Sequence, residues 1–223
     1  MKQVLNNTIV AVALSVGFAT APLVQAEGDA AAGKTKSAAC AACHAETGNS
    51  LSPAFPKIAG LGEKYLFKQL QDIQSGARQV PEMAGQLDAM NEQDLADIAA
   101  YFAGNPMQIS GAKEKDWPLE ELGSAEFLAL GEQVFRAGNM ETGVPACTGC
   151  HSPSGQGNAP AAYPKLGGQF ADYLVKQLKA FRSNARTNDG DSRIMRDVAA
   201  NMSDKEIEAV ANYISGLHIG AGE

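Results

Sequence analysis

Apolar residues recur at helical spacing along two long blocks of the chain, and neither block shows the alternation that predicts a strand. In one segment, apolar positions at i, i+3, i+4 and i+7 share a single helical face: Leu95, Ile98, Ala99 and Phe102. The same criterion predicts helices over 29–42, 63–76, 92–103, 125–137, 169–183 and 204–215. The pattern therefore predicts an all-α protein.

The two blocks carry the same landmarks in the same order. Residues 65–70 read Tyr-Leu-Phe-Lys-Gln-Leu, and residues 173–178 read Tyr-Leu-Val-Lys-Gln-Leu. Residues 94–101 match 206–213 in the same way. Such self-similarity indicates a duplicated unit. We predict two tandem domains of about three helices each, at 27–104 and 124–223, joined by a proline-, glycine- and charge-rich linker at 105–123.

The first 26 residues have the pattern of a secretory signal peptide. Lys2 provides a short basic start, an apolar stretch runs from residue 9 to 18, and Ala26 is a small residue suited to cleavage. A membrane anchor would need about 20 consecutive apolar residues, whereas Ser15, Gly17 and Thr20 interrupt the apolar residues here and Pro22 follows. We expect residues 1–26 to be removed on export.

The charge balance narrows the classes of partner. The chain has 18 Lys and Arg against 25 Asp and Glu, a formal net charge of −7. A nucleic-acid-binding protein is disfavoured, because such proteins carry a basic surface. An acidic surface suits steering toward a basic docking patch, and it is equally typical of a protein that is simply well solvated.

Candidate chemistry is concentrated in the pentapeptide Cys-X-X-Cys-His, which occurs twice. One copy comprises Cys40, Cys43 and His44, and the other comprises Cys147, Cys150 and His151. This spacing is typical of c-type haem attachment, with two thioether bonds and a proximal histidine. Disulfide loops and thioredoxin-like pairs are alternatives that leave the repeated histidine unexplained, and a zinc site would need a fourth ligand that the motif does not supply. We predict two covalent haem c groups.

The distal ligands are predicted to be methionines, because only one further histidine, His218, remains. The repeat pairs Met83 with Met195 and Met90 with Met202. Capping signals place Met90 and Met202 just before a helix, where an apolar residue packs on the first turn. Met83 and Met195 fall in polar segments predicted to be irregular. We therefore expect Met83 and Met195 to ligate iron, with the other pair as the alternative.

Further residues are candidates for supporting the haems. A proximal histidine donates its second ring N–H, commonly to a backbone carbonyl, and Pro56 and Pro164, or Pro53 and Pro160, could present one. Arginines can bind haem propionates through two parallel hydrogen bonds. The candidates are Arg78, Arg186 and, through their hydroxyls, Tyr65 and Tyr173. For the tyrosines, plain helix packing is an equal alternative.

The paired haem motifs, the paired Tyr-Leu-X-Lys-Gln-Leu helices and the paired methionine segments resemble the dihaem cytochrome c4 family. The resemblance implies two class I cytochrome c domains related by pseudo-two-fold symmetry, with haem propionates linked across their interface. It also implies a periplasmic electron carrier, often membrane-associated, that delivers electrons to a terminal oxidase. One departure is that Arg78-to-Met83 is four residues shorter than Arg186-to-Met195.

Two other classes of function remain open. A dihaem peroxidase would need an iron position that is open or can be opened, whereas each half has a methionine able to close it. The chain could also be the electron-accepting subunit of a dehydrogenase, and the sequence does not exclude this.

Overall fold

The computed structural model describes residues 27–114 and 123–218. The predicted signal peptide 1–26 and the part of the linker at 115–122 lie outside the described residues. The α-helices are α1 (Ala30–Lys36), α2 (Ala41–His44), α3 (Glu63–Gln74), α4 (Glu92–Ala103), α5 (Ser124–Ala137), α6 (Thr148–His151), α7 (Ala171–Arg182), α8 (Ile194–Ala200) and α9 (Asp204–Gly216). Within these residues β-structure is limited to two isolated bridges, so the all-α prediction is confirmed. None of the described helices is long and apolar enough to cross a membrane.

Each half has its own hydrophobic core, formed where the closing helix packs on the middle helix. The predicted apolar face of α4 is buried, with its four members no more than 2% exposed: Leu95, Ile98, Ala99 and Phe102. It packs against Leu66 and Phe67 of α3. In the second half Ile207, Val210 and Ile214 of α9 take the corresponding role.

Glycine allows the first and last helices of each half to cross closely. A Cβ atom added to Gly33 of α1 would lie 1.9 Å from the Asp97 carbonyl oxygen of α4. A Cβ atom on Gly131 of α5 would lie 2.2 Å from the Ala209 carbonyl oxygen of α9. Any side chain at either position would therefore push the helices apart. The crossing fixes α1 and α5, which lead toward the two haem motifs.

Both closing helices begin at the N-caps that the sequence indicates, and each forms a capping box. The Asn91 side chain accepts a hydrogen bond from the Asp94 N–H while the Asp94 carboxylate accepts one from the Asn91 N–H. Ser203 and Glu206 form the same reciprocal pair at the start of α9. Each box satisfies two backbone donors that the helix itself leaves unpaired.

Helix α8 was not predicted. We expected residues around Met195 to form an irregular loop, and that expectation was wrong, because Met195 is the second residue of α8. Arg193 precedes the helix in a left-handed conformation with φ 50° and forms no side-chain cap. Ala199 is its one buried residue. Met195, Val198 and Ala199 do recur at helical spacing, but the helix has only seven residues and no side-chain cap, so the sequence gives little signal for it.

The described part of the linker forms hydrogen bonds with the second half. The N–H groups of Ser110 and Gly111 donate to the carbonyl oxygens of Gly168 and Ser215, at 3.0 and 2.9 Å. Further along, the amide of Asn212 in α9 pairs with both backbone groups of Lys113. The described part of the linker is therefore bound to the second half.

Candidate haem sites

The two Cys-X-X-Cys-His motifs form matching single turns of helix. In the first, the backbone N–H of His44 donates to the Cys40 carbonyl at 2.9 Å, and in the second His151 donates to Cys147 at the same distance. Residues three apart on such a turn lie on one face. The turn thus brings both thiols to one side and places the histidine beside them. None of the four cysteines forms a disulfide bond.

Each motif helix ends in a backbone conformation that L-residues rarely adopt. Ala45 follows His44 with φ 59° and ψ 166°, and Ser152 follows His151 with φ 64° and ψ 158°. A non-glycine residue in such a region costs on the order of 1–3 kcal/mol, and such strain clusters at functional sites. This repeated backbone conformation changes the direction of the chain immediately after each proximal histidine. Nothing in the residue types Ala and Ser signals it.

Both histidines are buried and hydrogen-bonded to a proline carbonyl. His44 Nδ1 lies 2.9 Å from the Pro56 carbonyl oxygen, and His151 Nδ1 lies 2.9 Å from that of Pro164. Burial lowers the pKa of both rings and outweighs the opposite effect of these carbonyls. The rings are therefore neutral near pH 7, with the proton on Nδ1 and Nε2 free to bind a metal.

A cavity of about 630 Å³ opens beside the first motif. Cofactor pockets typically occupy about 300–1,000 Å³. Cys40, Cys43 and His44 line one wall. Apolar side chains from α3 and α4 line others: Leu66, Leu70, Ile73, Ile98 and Phe102. An apolar cavity that presents two thiols and a buried neutral imidazole fits a covalently attached haem. A zinc site fits poorly, since no three His, Cys, Asp or Glu side chains converge anywhere in the described ranges.

The methionines differ in their surroundings. Met83 ends a short 3-10 turn at Pro81–Met83 and lines the cavity, as does Met90. The carbonyl oxygens of Met90 and Met202 accept hydrogen bonds from Gln74 and Arg182, at 2.8 and 2.7 Å. Met202 is 3% exposed within the second core. Met90 and Met202 are thus part of the junction between the middle and closing helices.

Arg78 and Arg186 occupy equivalent places on either side of the domain interface. Arg78 donates to Gln69 of its own half at 2.8 Å. It also reaches the other half, donating to the Tyr173 hydroxyl at 3.1 Å and to Gln177 at 3.2 Å. Arg186 repeats this arrangement in reverse. Its acceptors are Gln177 at 2.7 Å, the Tyr65 hydroxyl at 3.3 Å and Gln69 at 2.9 Å.

This crossed network borders the first cavity. Tyr65, Gln69, Arg78, Tyr173 and Arg186 all contribute to its lining. Burial alone would raise the pKa of Tyr65, but the positive charges of Arg186 and Arg78 outweigh it and lower that pKa. Sequence reasoning had named the arginines and tyrosines and had missed the glutamines. The repeated Lys-Gln-Leu of α3 and α7 was the available signal for them.

Other candidates lie away from these contacts. The alternative prolines Pro53 and Pro160 are exposed, and the histidines use the carbonyls of Pro56 and Pro164 instead. His218 is exposed, and its Nδ1 lies 2.9 Å from the Gly216 carbonyl.

Comparison with known proteins supports two haem domains. A family model described as cytochrome c matches residues 30–105 and 128–218. A cytochrome c4 of Pseudomonas aeruginosa is 50% identical over 214 residues, which is 96% of this chain and all of that protein. A thiosulfate dehydrogenase electron acceptor of Stutzerimonas stutzeri is 36% identical, covering 80% of this chain and 79% of that protein.

The fold of the chain also matches that of a cytochrome c4. The crystal structure of reduced recombinant cytochrome c4 from Pseudomonas stutzeri superposes with a TM-score of 0.79. Its sequence is 50% identical, and the match covers 86% of this chain and 100% of that one. The duplicated motifs, the two helical cores and the crossed interface are thus explained together. The chain belongs to the cytochrome c4 family, whose members are dihaem electron carriers with one covalent haem c in each of two cytochrome c domains.

Proposed function

We propose that this protein carries electrons in the periplasm from a membrane cytochrome complex to a terminal oxidase, without itself being an enzyme. Two domains would each hold one haem, which when bound supplies a one-electron ferric–ferrous couple. Within this proposal Cys40, Cys43, Cys147 and Cys150 form the thioether bonds. His44 with Met83 would bind the iron of the first haem, and His151 with Met195 would bind that of the second.

The observation that carries the proposal is that the first cavity is lined by both halves of the chain. Besides residues of the first domain, its lining includes residues from α7 and the loop that follows: Tyr173, Lys176, Gln177, Ala180, Ala185, Arg186 and Thr187. A haem placed there would have one edge at the interface with the second domain. Electron exchange between the two domains is favoured by such an arrangement.

The roles of the chain's own residues follow from their chemistry. Pro56 and Pro164 hold the proximal rings in one tautomer and orientation. Arg78 and Arg186, with Tyr65 and Tyr173, border the first cavity with positive charge and hydroxyl donors, which suits haem propionates. The apolar lining would exclude water from a bound haem. A methionine bound to each iron would close the position that a peroxidase needs open.

We expect two covalently bound haems on each exported chain. Mass spectrometry of denatured protein, produced in a host competent in haem attachment, should give the mass of residues 27–223 plus two haems. Cys43→Ser should remove one thioether bond to the first haem, and Cys150→Ser should remove one thioether bond to the second, because each haem uses its own pair of thiols. A mature chain with one haem or none would contradict the duplicated-site proposal.

We expect a potentiometric titration to resolve two one-electron steps, because the halves differ around the iron. The segments leading to Met83 and Met195 differ in length and conformation, a 3-10 turn in one and the first turn of α8 in the other. Hydrogen bonding and exposure around the haem set its potential. A titration that fits a single potential, apart from statistical splitting, would contradict this expectation.

The acceptor is tested by oxidase turnover. Reduced protein added to membranes that contain a terminal oxidase should support oxygen consumption, and the rate should fall with salt if its acidic surface guides docking. Residues 27–104 carry 6 basic and 10 acidic side chains, and residues 124–223 carry 9 and 11. The first domain, at net −4 against −2, is therefore the expected docking side for a basic partner. Co-sedimentation with membranes at low salt would test peripheral membrane association.

A second candidate function is supported by one comparison. The relative from Stutzerimonas stutzeri is named for accepting electrons from thiosulfate dehydrogenase. The same role here predicts copurification with a dehydrogenase and fast reduction by it. If the protein supports oxygen consumption by an oxidase and no dehydrogenase copurifies with it, the first function is favoured. Rapid peroxide reduction by the protein would favour the peroxidase alternative.

A further inference from the structure

The peptide group that supports His44 is also held by the second domain. The Pro56 carbonyl oxygen, which lies 2.9 Å from His44 Nδ1, shares its peptide plane with the N–H of Lys57. That N–H donates to Gln169 Oε1 at 3.0 Å. A continuous chain of hydrogen bonds therefore runs from the first proximal histidine, through one peptide group, to a side chain of the other domain.

Gln169 is well placed to hold this peptide. It is 2% exposed and lies just before α7. Its Oε1 also accepts from the Phe170 N–H at 3.0 Å, and its Nε2 donates to the Lys57 carbonyl at 2.7 Å. These two contacts fix which end of the amide is oxygen, since a backbone N–H needs an acceptor and a carbonyl needs a donor.

Lys57 is anchored from its side chain as well. The residue is 4% exposed, and its Nζ donates to the carbonyls of Gln108 at 2.6 Å and Gly168 at 3.3 Å. The ammonium group also lies 4.7 Å from the centre of the Phe170 ring. Both backbone and side chain of Lys57 are therefore held by the linker and the second domain.

The second haem site has no such connection. Pro164 supports His151, and the next N–H in the chain is that of Lys165. Across the described parts of the chain this N–H has no hydrogen-bond acceptor. The repeat register places Leu61 where Gln169 stands, and a leucine side chain cannot accept a hydrogen bond. The arrangement is thus a departure from the pseudo-two-fold symmetry of the interface.

We propose that Gln169 is a positioning residue that strengthens the hydrogen bond from His44 to Pro56 and so lowers the reduction potential of the first haem. The proposal rests on the ligation of that haem by His44. A peptide whose N–H is donated to an acceptor has a more polarised carbonyl, which is a better acceptor in turn. A stronger bond at Nδ1 makes the imidazole a more electron-rich ligand, which stabilises ferric iron.

The test compares Gln169→Met with Asn212→Leu. Methionine keeps the length and unbranched shape of glutamine and lacks both the carbonyl oxygen and the NH2 group of its side-chain amide. Asn212 is a matched control, because it is 4% exposed and its amide pairs with the N–H and carbonyl of Lys113 at 2.9 and 3.0 Å. Like Gln169, it holds both backbone groups of one distant residue, here Lys113 of the linker, but at a peptide that supports no proximal histidine.

The readouts are the Nδ1 proton resonances of His44 and His151 in the reduced, diamagnetic protein, together with the two potentials. Gln169→Met should move the His44 Nδ1 proton upfield, as for a weaker hydrogen bond, and leave that of His151 in place. It should favour reduction of the first haem by about threefold in the equilibrium constant, a modest change typical of one cooperative neighbour. Asn212→Leu should change neither.

An unchanged His44 resonance in Gln169→Met would overturn the proposal. Equal shifts in Gln169→Met and Asn212→Leu would also overturn it, because they would indicate a general effect of loosening the domains. A wild-type spectrum in which the His44 ring lacks the shift caused by a bound haem would instead contradict the ligation itself. That result is distinguishable, since it precedes any comparison of variants.

Discussion

Replacing Met83 or Met195 with alanine is expected to abolish the methionine-to-iron charge-transfer absorption of one haem and to lower its potential. The thioether is a soft ligand that stabilises reduced iron, so its loss favours the ferric state. Since axial ligands set haem potentials over a wide range, a drop on the order of 100 mV or more is expected. Near-infrared spectra of the ferric protein and a potentiometric titration measure the two effects.

Met90→Ala and Met202→Ala are the matched controls, because these methionines are the alternative ligands. Both should retain the charge-transfer absorption of both haems. Met202 is 3% exposed in the second core, so its truncation should cost about 2–5 kcal/mol of unfolding free energy. Met90 is only half-buried and should cost less, about 1 kcal/mol. If Met90→Ala or Met202→Ala removed the absorption instead, the assignment of ligands would be reversed.

Local signals in the sequence were sufficient for most of the helical framework. The face of α4, the capping boxes at Asn91 and Ser203 and the two Cys-X-X-Cys-His turns all depend on residues within a few positions of one another. Such contacts produce a characteristic spacing in the sequence, because helix geometry fixes which residues are neighbours. The internal repeat then allowed each prediction for one half to be applied to the other half.

The features that sequence reasoning missed depend on contacts between distant residues or on backbone conformation. Helix α8 has no cap and buries one residue, so tertiary packing rather than propensity supports it. The left-handed Ala45 and Ser152 are ordinary residue types in an uncommon conformation. The contact between Gln169 and Lys57 joins residues 112 positions apart and has no counterpart in the first half. No local pattern encodes a pairing of that kind.

The crossed interface explains why the repeated glutamines accompany the repeated arginines and tyrosines. Gln69 is buried, and its Oε1 accepts from Arg78 of its own half and from Arg186 and Asn188 of the other. A neutral acceptor shared by two guanidinium groups lets both cations approach the same region, where their described acceptors in the crossed network are amides and hydroxyls and not carboxylates. The positive charge is then left for an anionic group at the cavity edge, which is what a haem propionate would supply.

Replacing Arg78 and Arg186 together with methionine is expected to uncouple the two domains. The double variant leaves the hydroxyls of Tyr65 and Tyr173 without their guanidinium partners. Hydrogen bonds to charged groups contribute about 1.5–3 kcal/mol each, so the loss should be on the order of 3 kcal/mol or more at the interface. Thermal unfolding should change from one transition to two, because each half keeps its own hydrophobic core.

Two further measurements and one control variant distinguish this effect from general destabilisation. Backbone amides of α3 and α7 at the interface should exchange faster, while those of α4 and α9 in the cores should not. The pKa of Tyr65 should rise, since burial would no longer be opposed by the charges of Arg186 and Arg78. Arg136→Met is the matched control, because Arg136 pairs with exposed Glu132 within one domain, and such surface pairs contribute about 0–1 kcal/mol. Unfolding of the double variant in one transition, at the wild-type temperature, would show that the crossed network does not hold the domains together.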